Sequence, residues 1–382
     1  MPSSKYSELG VDVDKKGISS IKGVTDDLFP DSFCSVVRDP ENPESGLILH
    51  EDGAGSKPII SYLYLRETGE YRWFAGLAQD VLAMNLDDVV CVGGMPIAFS
   101  DYVALNTMRL DREALLSSLA SGFSETFGIL GRLGCRVLFC GGETADLPDI
   151  MRTLDISGTV FGRVRINNMI TGKDISPGDL IIGIRSGGRC SYENRDNSGI
   201  MCNGISLARH SLLRNEYYKK YPEIGHEGSK GYYGRFRIDD DLPELGMTVG
   251  EALLSPTRIF FPIILEILGR VPVKALIHNT GGGLTKSLRL GRDILYVKDS
   301  LPEPDPIFRL IGEESCESPR EMCRNYNMGI GMEVVVGKGH EEEAIRSVEK
   351  FGVGAQVIGR CERSNGKNAV LIRRGSEEYL FQ

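Results

Sequence analysis

The alternation of apolar and polar positions predicts a chain of short strands and amphipathic helices. Gly46–His50 (GLILH) reads as a strand. Trp73–Val92 carries apolar residues at helical spacing, with Phe74, Leu77, Val81, Met84 and Val89 near one stripe. Pro96–Leu105 reads as a strand. Asp111 reads as the N-cap of a helix that runs through Leu133 and stops at Gly134. Arg136–Cys140 is expected to be a short buried strand ending at Gly141-Gly142, and Leu154–Val164 another strand. A turn-forming stretch, Gly172–Gly178, then marks the expected boundary between domains 1–172 and 173–382.

The second half restarts with a strand at Leu180–Ile184 and a helix over Ile205–Leu213. Pro256–Leu268 reads as an apolar helix with a kink at Pro262, and Val273–His278 as a strand. The tail reads strand (Met332–Val336), helix (Glu341–Phe351), strand (Ala355–Arg360). The fold class is therefore α/β, of the split α+β kind. Two long irregular segments, Gly187–Asn203 and Glu216–Leu245, interrupt the second half, and loops of that length usually act or move.

Composition narrows the function. The 382 residues are 41% hydrophobic, which excludes a largely disordered chain. No apolar run approaches the length of a membrane span. The first twenty residues lack the apolar core of a signal peptide, so the chain is expected to stay where it is made. A net charge of −9 argues against nucleic-acid partners, which need a cationic footprint. Nine scattered cysteines without a C-x-x-C pair fit reduced thiols in a cytoplasm. Five histidines, none within three to five residues of another, make a histidine-rich zinc site a poor fit.

Glycine clusters recur where strands end: Asp52-Gly-Ala-Gly-Ser-Lys57, Gly141-Gly-Glu-Thr144, Ser186-Gly-Gly188, Thr280-Gly-Gly-Gly283 and Asn327-Met-Gly-Ile-Gly-Met332. Each alone is an ordinary tight turn, and none is a Walker A loop or G-x-G-x-x-G. Acids and a lysine beside them raise the signal. A carboxylate on such a turn can hold Mg²⁺, and Mg²⁺ bridges nucleotide phosphates. Asp80, Asp87 and Asp88 share one predicted helix, with Asp87 roughly 20° and Asp88 roughly 80° from Asp80 around its axis. Their flanks are apolar, so the helix is expected to be buried and its acids to need partners.

With those motifs in order, the chain resembles the phosphoribosylformylglycinamidine cyclo-ligase (aminoimidazole ribonucleotide synthetase) family. The resemblance runs from about Tyr6 to Arg360. It is carried by Gly10-Val-Asp-Val-Asp14, Ile21-Lys-Gly23, DGAGSK, QDVLAMNLDDVV, Pro96–Tyr102, GGETADLP, SPTRIF, HNTGGG and NYNMGIGM. It implies two α/β domains, the first pairing its sheet with a second subunit in a homodimer. It implies a reaction in which ATP and Mg²⁺, with a K⁺ requirement left open, close formylglycinamidine ribonucleotide into the imidazole ring. ATP phosphorylates the formamide oxygen, the amidine nitrogen attacks, and phosphate leaves. By resemblance, Lys22, Asp52, Lys57, Asp88 and Glu143 carry the chemistry. Gly53, Gly55, Asp80, Gly141, Gly142 and Thr144 hold the nucleotide, and Asn203 with Thr280, Gly281, Gly282 and Gly283 surround the substrate. Asp52, Asp80, Asp87, Asp88 and Glu143 form the metal set, converging on the triphosphate.

Three departures stand out. The family pattern Ser-Gly-x-His-Ser-Asn-Gly is split here by an insertion, and Met201 occupies the histidine's place, so Tyr192, Glu193 or His210 is expected to substitute or the role to be dispensable. Asp87 stands where the family commonly has asparagine, which predicts stronger metal dependence. The aromatics of Glu216–Leu245 are expected to pack rather than form a lid. The rivals are another ATP-using enzyme of the superfamily, such as a thiamine-phosphate kinase, or a non-catalytic nucleotide binder.

Overall fold

The computed structural model describes residues 5–11, 17, 20, 24–226, 228 and 230–382. It contains two mixed α/β domains, each built on its own sheet. The first sheet has five strands: β1 (Val37–Arg38), β2 (Ser45–Gly53), β3 (Met95–Leu105), β4 (Leu138–Asp146) and β5 (Leu154–Arg165), in the order β1-β2-β5-β3-β4. Helices α1 (Pro58–Thr68), α2 (Gly76–Val90) and α3 (Arg112–Arg132) belong to this domain. Asp111 caps α3, accepting the Ala114 N–H at 2.7 Å.

Alternation along β2 and β5 explains how α2 seats on the sheet. Ile48 on β2, with Ile156 and Val160 on β5, is buried toward the helices, whereas Leu49 points away. Gly162 on β5 gives the closest approach: a Cβ there would sit 2.9 Å from Val89 Cγ1 of α2, and one on Gly158 would sit 3.3 Å from Asn85 Nδ2. The bare backbone at these two positions lets the buried α2 lie flat against the sheet. All but two of the fifteen residues of α2 are buried, including Asp80, Asn85, Asp87 and Asp88.

The second sheet contains β6 (Leu180–Arg185), β9 (Val273–His278), β10 (Ile294–Lys298), β11 (Ile330–Val336), β12 (Ala355–Arg363), β13 (Ala369–Arg374) and β14 (Glu377–Phe381), in the order β14-β13-β10-β12-β6-β11-β9. A small hairpin, β7 (Asp241–Leu242) with β8 (Met247–Thr248), stands apart. Helices α4 (Ile205–Leu212), α5 (Phe261–Leu268) and α6 (Glu341–Glu349) complete the elements used below. The expected boundary at 172/173 falls in the segment joining β5 to β6.

Several elements differ from their sequence reading. The strand expected at Arg136–Cys140 runs instead from Leu138 to Asp146, straight through the double glycine, and it is an exposed edge rather than a buried strand. Glycines can sit extended as well as turned, so Gly141-Gly142 did not end it. The Trp73–Val92 helix is a 3₁₀ turn at Tyr71–Phe74 followed by α2. Pro262 does not kink a longer helix but starts α5, where its missing N–H costs nothing. In Glu216–Leu245, Tyr217, Tyr221, Tyr232 and Phe236 are buried.

Candidate functional site

The buried polar groups of the two domains meet where β2 and α2 face the loop after β9. Asp88 is the hub. Its Oδ1 accepts from His278 Nδ1 at 2.7 Å, and its Oδ2 lies 3.3 Å from His50 Nε2. Asn85, one turn earlier, holds the other side of the His50 ring (2.9 Å to Nδ1) and donates to the Asp52 carbonyl at 3.0 Å. Positions 85 and 88 share a helix face, so α2 fixes both β2 residues at once.

Lys286 closes the cluster from the second domain. It lies on the 3₁₀ segment Gly283–Arg289, donates to Thr280 Oγ1, and its ammonium stands 4.7 Å from the Phe33 ring centre. Burial opposes ionisation of Asp88, yet Lys286, His278 and His50 hold its carboxyl well below the usual carboxylate range. Burial likewise pushes Lys286 down, against the pull of Asp88 and Asp52. Burial and the negative charge of Asp88 push Asp52 up. Burial lowers His278 against the raising pull of Asp88; its Nδ1 faces the Asp88 carboxylate, and its Nε2 is buried without a hydrogen-bond partner among the described residues.

Glycine turns from both domains meet beside this cluster. A Cβ on Gly55 would lie 3.4 Å from the Cys202 carbonyl, and one on Gly281 would lie 3.5 Å from Asn203 Oδ1. Ser56 and Ser206 hydroxyls are 3.0 Å apart. The DGAGSK loop, Asn203 and the Thr280–Gly283 turn therefore meet, and the buried Nδ2 of Asn203 is left without a partner.

Other expected site residues lie elsewhere. Lys57 and Asp80 are fully buried and face each other at 2.7 Å; Lys57 also donates to the Ser255 carbonyl, and Asp80 accepts the N–H and hydroxyl of Thr257, both at 2.7 Å. They tie the two domains together instead of lining a phosphate loop. Asp87 accepts the backbone N–H groups of Phe260 and Phe261, at 3.0 and 2.7 Å, at the start of α5. Asp80 and Asp87, two turns apart, grip the SPTRIF segment, while Asp88 turns the other way. Gly141, Gly142, Glu143 and Thr144 lie on edge strand β4. Three strand spacings, about 14 Å, separate β4 from β2, so one chain does not bring Glu143 to Asp52. Lys22 lies outside the described residues.

The five-acid metal set is thus not assembled within one chain. Among the described residues no group of three or more His, Cys, Asp or Glu side chains is placed to hold a metal. Mg²⁺ needs less than that, because it is commonly held by one or two carboxylates plus phosphates and water. Asp52 fits such a role. Among the described residues its Oδ1 accepts only the N–H of neighbouring Gly53, at 2.8 Å, and a divalent cation would relieve its repulsion from Asp88.

None of the three candidates takes the displaced histidine's place. Met201 is buried with φ +58°. The Tyr192 hydroxyl donates to the Ile259 carbonyl (2.6 Å), Glu193 pairs with buried Arg258 (2.8 Å), and His210 donates to the Gly231 carbonyl (3.0 Å). The histidines of the site are His50 and His278. His278 opens the quoted HNTGGG motif and His50 ends the predicted strand beside Asp52, and those placements were the available signals. Cys202 is no nucleophile: burial and the charge of Asp80 push its thiol up.

The family described as AIR synthase related protein, N-terminal domain, matches residues 33–164, and AIR synthase related protein, C-terminal domain, matches residues 176–372. Phosphoribosylformylglycinamidine cyclo-ligase of Methanocaldococcus jannaschii is 35% identical over 377 residues, covering 96% of this chain and 95% of that protein. The protein of the same name from Methanothermobacter thermautotrophicus is 34% identical over 350 residues, covering 89% and 90%. Among solved structures, the hydrogenase maturation protein HypE in complex with ATP aligns with a TM-score of 0.58 at 16% identity, covering 99% of this chain and 92% of that one. AaThiL complexed with AMPPCP and TMP aligns at 0.55 and 13%, covering 96% of each chain. Those two likenesses establish the fold. The sequence matches, which extend over nearly the whole length, place the chain in the phosphoribosylformylglycinamidine cyclo-ligase family.

Proposed function

We propose that the Asp88 cluster is where this ATP-dependent cyclo-ligase closes formylglycinamidine ribonucleotide into aminoimidazole ribonucleotide, a step of purine biosynthesis. An amide oxygen is a poor leaving group. Phosphoryl transfer from ATP to the formamide oxygen makes it a good one, the amidine nitrogen attacks the activated carbon, and phosphate departs. Such transfer needs positioning and charge neutralisation more than covalent help. Mg²⁺ bound with ATP supplies that neutralisation at the phosphates.

The chain's own residues supply the rest. Asp52, with Asp88 behind it, would hold the metal. Asp88 holds His278 through Nδ1 and holds His50 from the other side. Gly53, Gly55 and Gly281–Gly283 let backbone approach the ligands closely. The unpartnered Nδ2 of Asn203 is a donor available to substrate. The observation that supports the reading most is the clustering of Asp52, Asp88 and Lys286, from both domains, beside the glycine turns 53–55 and 281–283.

The working unit we propose is a homodimer in the cytoplasm. No helix of the described residues is long and apolar enough to cross a membrane, and all nine cysteines are free. Incubation with ATP, Mg²⁺ and formylglycinamidine ribonucleotide should yield ADP and a product that gives the aminoimidazole colour reaction. ATP binding without ADP would overturn catalysis in favour of a nucleotide binder.

A further inference from the structure

A second polar network lies behind the site, and no step of the reaction above uses it. Lys298 ends β10 and Glu333 lies on β11, with β12 and β6 between them in the sheet. Their side chains are fully buried and meet at 2.6 Å. Glu333 Oε1 also accepts from Asn279 Nδ2 at 2.8 Å, and Lys298 Nζ also donates to the Leu284 carbonyl at 2.6 Å. Asn279 Nδ2 further reaches the Ile330 carbonyl at 3.0 Å.

Asn279 and Leu284 flank the turn Thr280–Gly283. One ion pair therefore pins both ends of that turn. Gly282 and Gly283 adopt φ of +98° and +49°, and glycine at such positions leaves the backbone many alternatives. The residue before the pinned segment is His278, bonded to Asp88, and the residue two beyond Leu284 is Lys286, bonded to Thr280.

Stability alone does not account for the pair. Desolvating two charges can cost more than their attraction returns, and apolar residues of similar volume often replace such pairs without loss. Glu333 Oε2 and Asn279 Oδ1 even remain buried without partners. What the pair adds is direction, through bonds aimed at two fixed points of the loop.

We propose that Lys298 and Glu333 are positioning residues for the cyclisation, holding the Thr280–Gly283 turn so that Thr280, Lys286 and His278 keep their places around Asp88. The proposal rests on the reading of that turn as part of the reaction site.

The test uses two double variants of the full chain, Lys298→Met/Glu333→Leu and Lys298→Met/Glu333→Gln. Neither strands a lone charge, and the Gln variant keeps an acceptor for Asn279. In the Met/Leu variant we expect a parental melting temperature, unchanged affinity for a non-hydrolysable ATP analogue, and kcat lower by about tenfold or more. Amide exchange at residues 279–285 should quicken by a similar factor, with the Gln variant recovering part of both losses. Either variant folding with parental kcat overturns the proposal, as does unchanged exchange in the loop. Loss of fold in both assigns the pair to stability and also overturns it. The exchange measurement needs no turnover, so absence of ADP in the parent would sink the proposed function and leave this result readable.

Discussion

Lys57 Nζ and Asp80 Oδ1 stand 2.7 Å apart, sealed from solvent, at the junction of the two domains. Asp80 holds Thr257 and Lys57 holds the Ser255 carbonyl, so the pair fastens the DGAGSK loop and α2 of one domain to SPTRIF of the other. With two of its three N–H donors engaged and its side chain fully buried, the Lys57 ammonium is turned into the domain junction and not toward a phosphate.

Lys57→Met should accordingly act on stability. It leaves Asp80 as an uncompensated buried charge, which typically costs about 3–5 kcal/mol. Urea unfolding should report that loss. A variant of parental stability with a raised KM for ATP would restore the phosphate role.

Asp87→Asn makes a similar distinction. The carboxylate accepts two backbone N–H groups with its two oxygens, whereas an amide turns one NH₂ toward a donor. We expect a loss of about 1–3 kcal/mol in unfolding free energy, with the Mg²⁺ dependence of turnover unchanged. A shifted Mg²⁺ titration in a variant of parental stability would return Asp87 to the metal.

These two acids show what a sequence can and cannot convey. Periodicity placed Asp80, Asp87 and Asp88 on one buried helix, and the need of buried charges for partners followed. The partners did not follow, because Thr257, Phe260, His278 and Lys286 lie 170 or more residues further along and meet α2 only when the second domain docks. Separations of that kind are set by tertiary packing, not local pattern. The β4 edge escapes local pattern for a related reason. Gly141-Gly142 looks the same in a turn and in a strand, and only pairing with β3 decides.

His210 sits on α4, edge-on to Tyr232 at 4.8 Å, and burial with nearby Arg209 pushes it down to about 4. Its folded value is below its unfolded one, about 6.5. The unfolded chain therefore takes up a proton that the native state refuses. Stability should be complete above about pH 6.5 and fall as pH drops toward 4, by a few kcal/mol at most. His210→Gln should flatten that slope and leave turnover intact. Unchanged acid sensitivity, or lost turnover, would contradict a purely structural role.

His50 behaves in the opposite sense. Burial lowers it, but the hydrogen bond and charge of Asp88 raise it above its ordinary value overall. Its contribution is full below about pH 6.5 and is lost as pH rises through the folded value. In Asp88→Asn the imidazole resonance of His50 should titrate at a lower pH than in the parent. An unmoved titration would place the raising charge elsewhere.

The homodimer can be tested on the open face of the first sheet. Leu49 on β2 is 73% exposed, Tyr102 on β3 38%, and Leu138 on edge strand β4 48%. An edge strand with free N–H and C=O groups, beside exposed apolar side chains, invites pairing with another chain, and a second copy is the commonest cover. Covering it would also put Glu143, stranded on β4 in the single chain, against a partner surface. We expect sedimentation to give twice the 42.0 kDa chain mass for the parent and the single mass for Leu49→Lys/Leu138→Lys. Both charges fall on solvent-exposed positions, so each folded monomer should keep its melting profile apart from the loss of concentration dependence. A parent that sediments as a monomer at micromolar concentration would remove the dimer, and a variant that stays dimeric would move the interface off this sheet.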